Sequence, residues 1–112
     1  VPNVQKAQDF FESYFSFQKS SDHGEGIFLE NSAGFLLALD PLERGEENRL
    51  PPAFHLGFCL DNPEIVKDLF QRMKKDGVEF ARELKQFGND AVNFYCWIPG
   101  GYKLEVSWHR PI

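Results

Sequence analysis

Two stretches in the second half of the chain alternate apolar and polar residues with the period of two that is typical of a strand covered on one side. In residues 100–108 the apolar set is Tyr102, Leu104, Val106 and Trp108, and the intervening set is Lys103, Glu105 and Ser107. In residues 54–60 the apolar set is Phe54, Leu56, Phe58 and Leu60, and the intervening set is His55, Gly57 and Cys59. If both strands lie in one sheet with their apolar faces under helices, His55 and Glu105 emerge together on the opposite face.

Helical spacing of apolar residues predicts two helices. The first covers residues 3–17, with Asn3 as its N-cap. The second begins at Asn62, with Pro63 at the first helical position and Glu64 in the first turn, and ends at Asp76-Gly77.

Short apolar runs between turn residues predict the remaining strands. Residues 27–30 and 35–39 flank Asn31-Ser32-Ala33-Gly34 and are typical of a hairpin, after a polar turn at residues 20–26. Strands are also predicted at 78–87 and 92–98. In the second of these, Asn93, Tyr95 and Trp97 would share the face of His55 and Glu105.

The two halves of the chain repeat one pattern. When they are aligned, Asn3, Ala7 and Phe10 fall on Asn62, Val66 and Leu69. Each half reads as a β-α-β-β-β unit, which predicts one α+β domain over residues 1–112: a first module at 1–40, a linker at 41–52 and a second module at 53–112. The first module begins where its first strand should already be ending, so we expect that strand to be missing from the sequence. A partner subunit would then cover the open edge, as in a homodimer.

Composition restricts the partners. A chain of 112 residues with a net charge of -5 and a pI near 5.1 would repel a nucleic acid backbone. No apolar run approaches the roughly 20 residues of a membrane span, and no signal-peptide pattern opens the sequence. The two cysteines, Cys59 and Cys96, are predicted to be buried strand thiols without a redox role. These features favour a soluble cytoplasmic protein that binds a small molecule.

Two motifs carry a family resemblance, FHLGFCLDNPEIVKDLF at residues 54–70 and IPGGYKLEVSW at residues 98–108. Together with the repeat, they resemble the vicinal oxygen chelate superfamily, which includes glyoxalase I, bleomycin-resistance, fosfomycin-resistance and extradiol dioxygenase proteins. The resemblance implies a curled mixed sheet around a cleft that binds a divalent metal. It assigns His55 and Glu105 as metal ligands for Zn, Ni, Mn or Fe, with Glu105 as an alternative general base.

The same resemblance implies one departure from a glyoxalase I site. Where those enzymes have a carboxylate in the first module, this chain has Ala38, and Asp40 lies two residues further on. A further histidine from the missing strand would complete a His-His-Glu set. Without it, the chain would resemble the metal-free bleomycin-resistance proteins, which sequester a ligand.

A substrate pocket is predicted around the two ligands. Its lining residues would be Cys59, Asn93, Tyr95, Trp97 and Lys103. Purely structural roles stay open as alternatives. His55 would then be a pocket histidine that only forms hydrogen bonds, Glu105 would pair with Lys103, and Tyr95 and Trp97 would only pack inside the curled sheet. Trp108 is predicted in the core, and His23 and His109 at the surface.

Three functions are compatible with these features: a metal-dependent lyase, transferase or dioxygenase, a metal-free binding protein, or a non-catalytic dimerisation module.

Overall fold

Two helices and seven strands make up the computed structural model, which describes residues 1–43 and 50–111. They fall into two units, Val1–Leu50 with Ile98–Gly101, and Pro51–Trp97 with Tyr102–Ile112. The predicted α+β class is confirmed. Part of the predicted linker, residues 44–49, lies outside the described residues. No helix among the described residues is long and apolar enough to cross a membrane.

The first unit contains helix α1 (Val4–Phe15) and strands β1 (Gln18–His23), β2 (Gly26–Glu30) and β3 (Leu36–Leu39), in the sheet order β1-β2-β3. Helix α1 begins where its sequence predicts, because the side chain of Asn3 accepts a hydrogen bond from the backbone N–H of Lys6 at 3.0 Å. Such a cap is worth about 1 kcal/mol. The predicted hairpin is also confirmed, with Leu29 opposite Leu37 in the antiparallel β2–β3 pair.

Strand β1 contradicts the predicted polar turn at residues 20–26. Its six residues are all exposed and polar or charged, so no alternation of apolar residues marks it. The strand exists because its backbone pairs antiparallel with β2, from Gln18 opposite Glu30 to His23 opposite Gly26. His23 is exposed, as predicted.

The second unit contains β4 (Leu56–Cys59), helix α2 (Pro63–Lys75), β5 (Phe80–Phe87), β6 (Ala91–Ile98) and β7 (Tyr102–His109). The strands form a four-stranded sheet in the order β4-β7-β6-β5. The sheet is mixed, because β4 runs parallel to β7 while β5 runs antiparallel to β6. The first and last strands of the unit are therefore neighbours.

Helix α2 has the predicted start and end. Asn62 caps it by accepting from the backbone N–H of Ile65 at 2.9 Å, Pro63 is its first residue, and Gly77 follows it with a φ of 81°. Its buried face carries Val66, Leu69, Phe70 and Met73. The ring of Phe70 packs on Phe80 and Phe94, with centroids 4.9 and 5.4 Å away.

These contacts distinguish two faces of the four-stranded sheet. On the face toward α2, β6 buries Val92, Phe94 and Cys96, and β7 buries Leu104 and Val106. We call the opposite face the site face. Its residues include Gly57 and Cys59 of β4, Arg82 and Lys85 of β5, Asn93, Tyr95 and Trp97 of β6, and Lys103, Glu105 and Ser107 of β7, with His55 just before β4 and Glu79 just before β5.

The apolar face predicted for residues 54–60 is buried only in part: Phe58 and Leu60 are half-buried, but the burial predicted for Phe54 and Leu56 is wrong. The strand is shorter, Leu56–Cys59, and Phe54 and Leu56 are 46% and 45% exposed. Phe54 and Leu56 are exposed because β4 is the edge strand of its sheet and α2 lies against β7. Trp108, predicted in the core, is only half-buried, and His109 is the exposed last residue of β7.

Candidate functional site

His55 and Glu105 meet on the site face. The parallel register of β4 and β7 places Gly57 directly beside Glu105, and His55 stands two residues before Gly57. Its Nε2 atom lies 3.5 Å from Oε1 of Glu105, and the two side chains are 36% and 20% exposed. The pair predicted from strand alternation is thus brought together within reach of solvent.

The backbone fixes which nitrogen of His55 carries a hydrogen. Its Nδ1 lies 3.0 Å from the carbonyl oxygen of Ala53, which can only accept, so Nδ1 is the donor. In the neutral ring, Nε2 then presents a lone pair to Oε1 of Glu105, which is also an acceptor. Two acceptors in this position repel each other unless a proton or a cation lies between them.

The second oxygen of Glu105 is held by β6. Asn93 donates to Oε2 from Nδ2 at 2.9 Å, and the Tyr95 hydroxyl donates to the same atom at 3.2 Å. The Tyr95 ring also packs edge-on against the imidazole of His55, with centroids 5.3 Å apart. Glu105 is therefore fixed through Oε2, while Oε1 faces His55.

The environment of Tyr95 keeps its hydroxyl protonated. Burial, followed by the charge of Glu105 and the hydrogen bond to it, raises the pKa of Tyr95 above 10.0, although Arg82 acts in the opposite direction. A hydroxyl with a raised pKa stays a donor over the whole neutral range. Tyr95 can thus stabilise an ionised Glu105.

Arg82 is a member of this network that the sequence did not indicate. It donates to Oδ1 of Asn93 and, at 3.1 Å, to the carbonyl of Glu83, and its guanidinium lies 5.1 Å from the centroid of the Tyr95 ring. Arginine can only donate, so the oxygen of Asn93 must point to Arg82 and its nitrogen to Glu105. Arg82 thereby sets the orientation of the amide.

A bulge in β5 brings Arg82 to this face. Phe80 lies opposite Cys96 on the helix face, whereas Arg82 lies opposite Tyr95 on the site face, and the register shifts between them. Strict alternation would have put Phe80 and Arg82 on one face. The extra residue in the bulge was not detectable from apolar spacing, and no other signal in the sequence marks it.

The donor set of His55 and Glu105 fits two ligands of one divalent metal. Two ligands at the usual Zn–N and Zn–O distances are about 3.4 Å apart in a tetrahedral site, close to the observed 3.5 Å. The hydrogen bond from Nδ1 to a carbonyl is the outer contact that metal-binding histidines usually make. Among the described residues, no group of three or more His, Cys, Asp or Glu side chains could hold a metal.

Two other predicted site residues, Trp97 and Lys103, interact with each other. The ammonium of Lys103 lies 5.8 Å from the centroid of the Trp97 ring and donates to the carbonyl of Pro52 at 2.7 Å. Lys103 therefore interacts with Pro52 and Trp97 rather than with Glu105. Trp97 keeps 36% of its surface exposed.

Cys59 is exposed, which corrects the prediction that both thiols are buried. Its sulfur lies 3.5 Å from the hydroxyl of the buried Ser107, its neighbour in the parallel ladder. Cys96 is buried as predicted, and burial raises the pKa of its thiol to about 12. Ala38, predicted to stand at a ligand position, lies in β3 opposite Phe28 and offers only a methyl group.

Comparison with known proteins gives a family match over most of the chain. The family described as Glyoxalase/Bleomycin resistance protein/Dioxygenase superfamily matches residues 1–106. A comparison with curated proteins found no match.

Several solved structures are similar to this chain. A possible glyoxalase from Bacillus cereus is 33% identical, with a TM-score of 0.77 over 95% of this chain and 89% of that one. The fosfomycin resistance protein FosX from Listeria monocytogenes is 18% identical, with a TM-score of 0.79 over 98% and 87%. Lactoylglutathione lyase from Agrobacterium tumefaciens is 16% identical, with a TM-score of 0.70 over 96% and 86%. The last two, at this identity, support the fold alone.

Proposed function

Because this chain belongs to the glyoxalase/bleomycin resistance protein/dioxygenase superfamily, we propose that it is a metal-dependent enzyme acting on a small molecule. In this proposal His55 and Glu105 are two ligands of a divalent ion, of the class of Zn, Ni, Mn or Fe. The supporting observation is the pair of acceptor atoms, Nε2 and Oε1, facing each other at 3.5 Å. A cation between them removes the repulsion that the bare neutral pair would suffer.

The rest of the site face supports Glu105. Asn93 and Tyr95 neutralise part of its charge through Oε2, so that Oε1 is the oxygen available to a metal or to a substrate proton. Glu105 would thus serve as a ligand or as the general base. A divalent ion, when bound, supplies Lewis acidity to two neighbouring oxygens of a substrate.

Substrate contacts are proposed for the exposed part of the same face. Trp97 offers an apolar ring, Lys103 a cation, and Cys59 a small polarisable group. Asn93 and Tyr95, predicted as substrate-binding residues, would act on the substrate mainly by positioning Glu105. The remaining metal positions would be taken by water or by substrate oxygens.

The test is a titration of the full chain with Zn(II), Ni(II), Mn(II) and Fe(II), followed by calorimetry and elemental analysis. We expect stoichiometric binding that is lost in His55→Ala and in Glu105→Gln. His109→Ala is the matched control, because His109 is exposed at the far end of β7. Binding that persists in both site variants, or that is absent from the native chain, refutes the proposal.

A second candidate is a metal-free protein that binds and sequesters a ligand. Two observations favour it: Ala38 cannot bind a metal, and the described residues contain no cluster of three ligand-type side chains. In that case a proton would lie between His55 and Glu105. Quenching of Trp97 fluorescence by a ligand in the presence of a chelator would support this candidate over the enzyme.

We also expect a cytoplasmic homodimer. The edge strand β4 leaves Phe54 and Leu56 nearly half exposed, and a second subunit could cover them. Light scattering at micromolar concentration tests this directly. A monomer would contradict the prediction without affecting the proposed site.

A further inference from the structure

The site face is cationic although the chain is acidic. The whole sequence carries a net charge of -5. On the site face, however, the three cations Arg82, Lys85 and Lys103 outnumber the two carboxylates that the described residues place there. These are Glu105 and Glu79, which directly precedes β5 and accepts from the backbone N–H of Trp97 through its carbonyl. The neighbouring Glu83 faces the other way, since it pairs with Lys74 of α2 at 2.8 Å. This segregation of charge favours an anion on the site face.

Arg82 makes more contacts than either of the other two cations. The residue is half-buried, and its guanidinium lies on the Tyr95 ring and donates one hydrogen bond to Asn93 and one to the carbonyl of Glu83. These two bonds leave further N–H donors of the group open. A guanidinium fixed in this way loses little conformational entropy when it binds an oxyanion through two parallel hydrogen bonds.

Arg82 forms no direct ion pair with a carboxylate among the described residues. The Asn93 amide stands between Arg82 and Glu105, so the arginine and the carboxylate each bond to a neutral group. A direct ion pair would have used the same donors and cancelled the charge. The amide of Asn93 therefore orients the carboxylate of Glu105, and the positive charge of Arg82 remains available to a ligand.

We propose that Arg82 binds the oxyanion group, a carboxylate or a phosphate, of the small molecule that the site face accepts. The proposal rests on the proposed function only for the location of the site, since the binding of the anion depends on Arg82 and not on a metal. Trp97, exposed on the same strand as Tyr95, would contact the uncharged part of the ligand.

The test is calorimetric titration of chelator-treated protein with inorganic phosphate and with acetate at constant ionic strength. Trimethyl phosphate is the uncharged probe. We expect saturable binding of at least one of the two anions. Its affinity should be about tenfold lower in Arg82→Gln, because that variant loses a hydrogen bond between charged groups. We expect the conservative variant Arg82→Lys to recover part of the affinity.

The matched control is Lys75→Gln, which removes the same charge from an exposed position in the last turn of α2. Equal weakening in Arg82→Gln and Lys75→Gln would overturn the proposal, because it would reflect overall charge. Binding of trimethyl phosphate as tight as that of phosphate would also overturn it, as would the absence of binding of both anions. Circular dichroism of Arg82→Lys and Arg82→Gln separates a local loss from unfolding.

Failure of this inference can be told apart from failure of the proposed function. A native chain that binds Zn(II) through His55 and Glu105 but neither anion refutes only the role of Arg82. A chain that binds an anion through Arg82 but no metal refutes the metal site, and the anion site stands.

Discussion

Asn93 donates its side-chain N–H to Oε2 of Glu105 at 2.9 Å, and its own oxygen is occupied by Arg82. Replacing Asn93 by leucine keeps the volume but removes both bonds. We expect Asn93→Leu to lower the free energy of unfolding by about 1 kcal/mol or more, because a half-buried carboxylate and a guanidinium each lose a partner. Urea unfolding measures this cost. Gln71→Leu, on an exposed position of α2, is the control, and an equal cost in both variants would contradict the prediction.

The raised pKa of Tyr95 predicts a loss of stability at high pH. In the unfolded chain Tyr95 loses its proton near the ordinary pKa of a tyrosine, whereas the native protein still holds that proton. The unfolded state therefore binds fewer protons, and unfolding becomes more favourable as pH rises. The stabilisation is complete below the ordinary pKa and is lost as pH rises through the native one. Urea unfolding at about pH 9 and about pH 11 should show a smaller loss in Tyr95→Phe than in the native chain or in Tyr102→Phe.

Glu105 is one cause of that raised pKa, after burial. Glu105→Gln removes its charge and should therefore shift the tyrosinate absorbance titration of Tyr95 to lower pH. The difference between the native chain and Tyr95→Phe isolates this residue from Tyr14 and Tyr102. An unchanged titration in Glu105→Gln would show that the two side chains do not interact in solution.

Gly57 controls the space over Glu105. An added Cβ would lie 3.7 Å from both the backbone oxygen and Oε1 of Glu105, which is ordinary contact. We expect Gly57→Ala to change the free energy of unfolding by less than about 1 kcal/mol and to keep metal binding. Gly57→Leu should fold similarly but weaken metal binding, because its side chain would cover Oε1. Equal Zn(II) affinity in the alanine and leucine variants would argue against Oε1 as the ligand atom.

The two cysteines should differ in reactivity. Cys59 is exposed, whereas Cys96 is buried with its pKa raised to about 12, so its thiolate is scarce. We expect iodoacetamide to modify Cys59 in the native protein and Cys96 only after unfolding. Peptide mass spectrometry resolves the two sites. Modification of Cys96 at the same rate as Cys59 under native conditions would contradict the buried position.

Much of the site could be predicted because its strands keep strict alternation. Asn93, Tyr95 and Trp97 follow a tight turn and alternate with Val92, Phe94 and Cys96, which are buried. The N-caps of both helices could be predicted equally well, because Asn3 and Asn62 act through local hydrogen bonds that need no tertiary context.

The rest depended on contacts that alternation does not encode. Strand β1 pairs with β2 through its backbone and buries no side chain of its own, so its polar sequence is typical of a turn. Phe54 and Leu56 alternate like core residues, but their edge position leaves them exposed. Arg82 reaches the site through a register shift, which a pattern of period two cannot anticipate.

The parallel pairing of β4 with β7 has a consequence for the order of assembly. His55 precedes the first strand of its unit and Glu105 lies in the last, so helix α2 and two further strands must be synthesised between them. During translation the pair cannot form until β7 has left the ribosome, and pairing at such sequence separation is intrinsically slow. Among the strands that the structure describes, β4 with Cys59 therefore waits longest for its partner in the nascent chain, and it is the one most in need of protection before folding is complete.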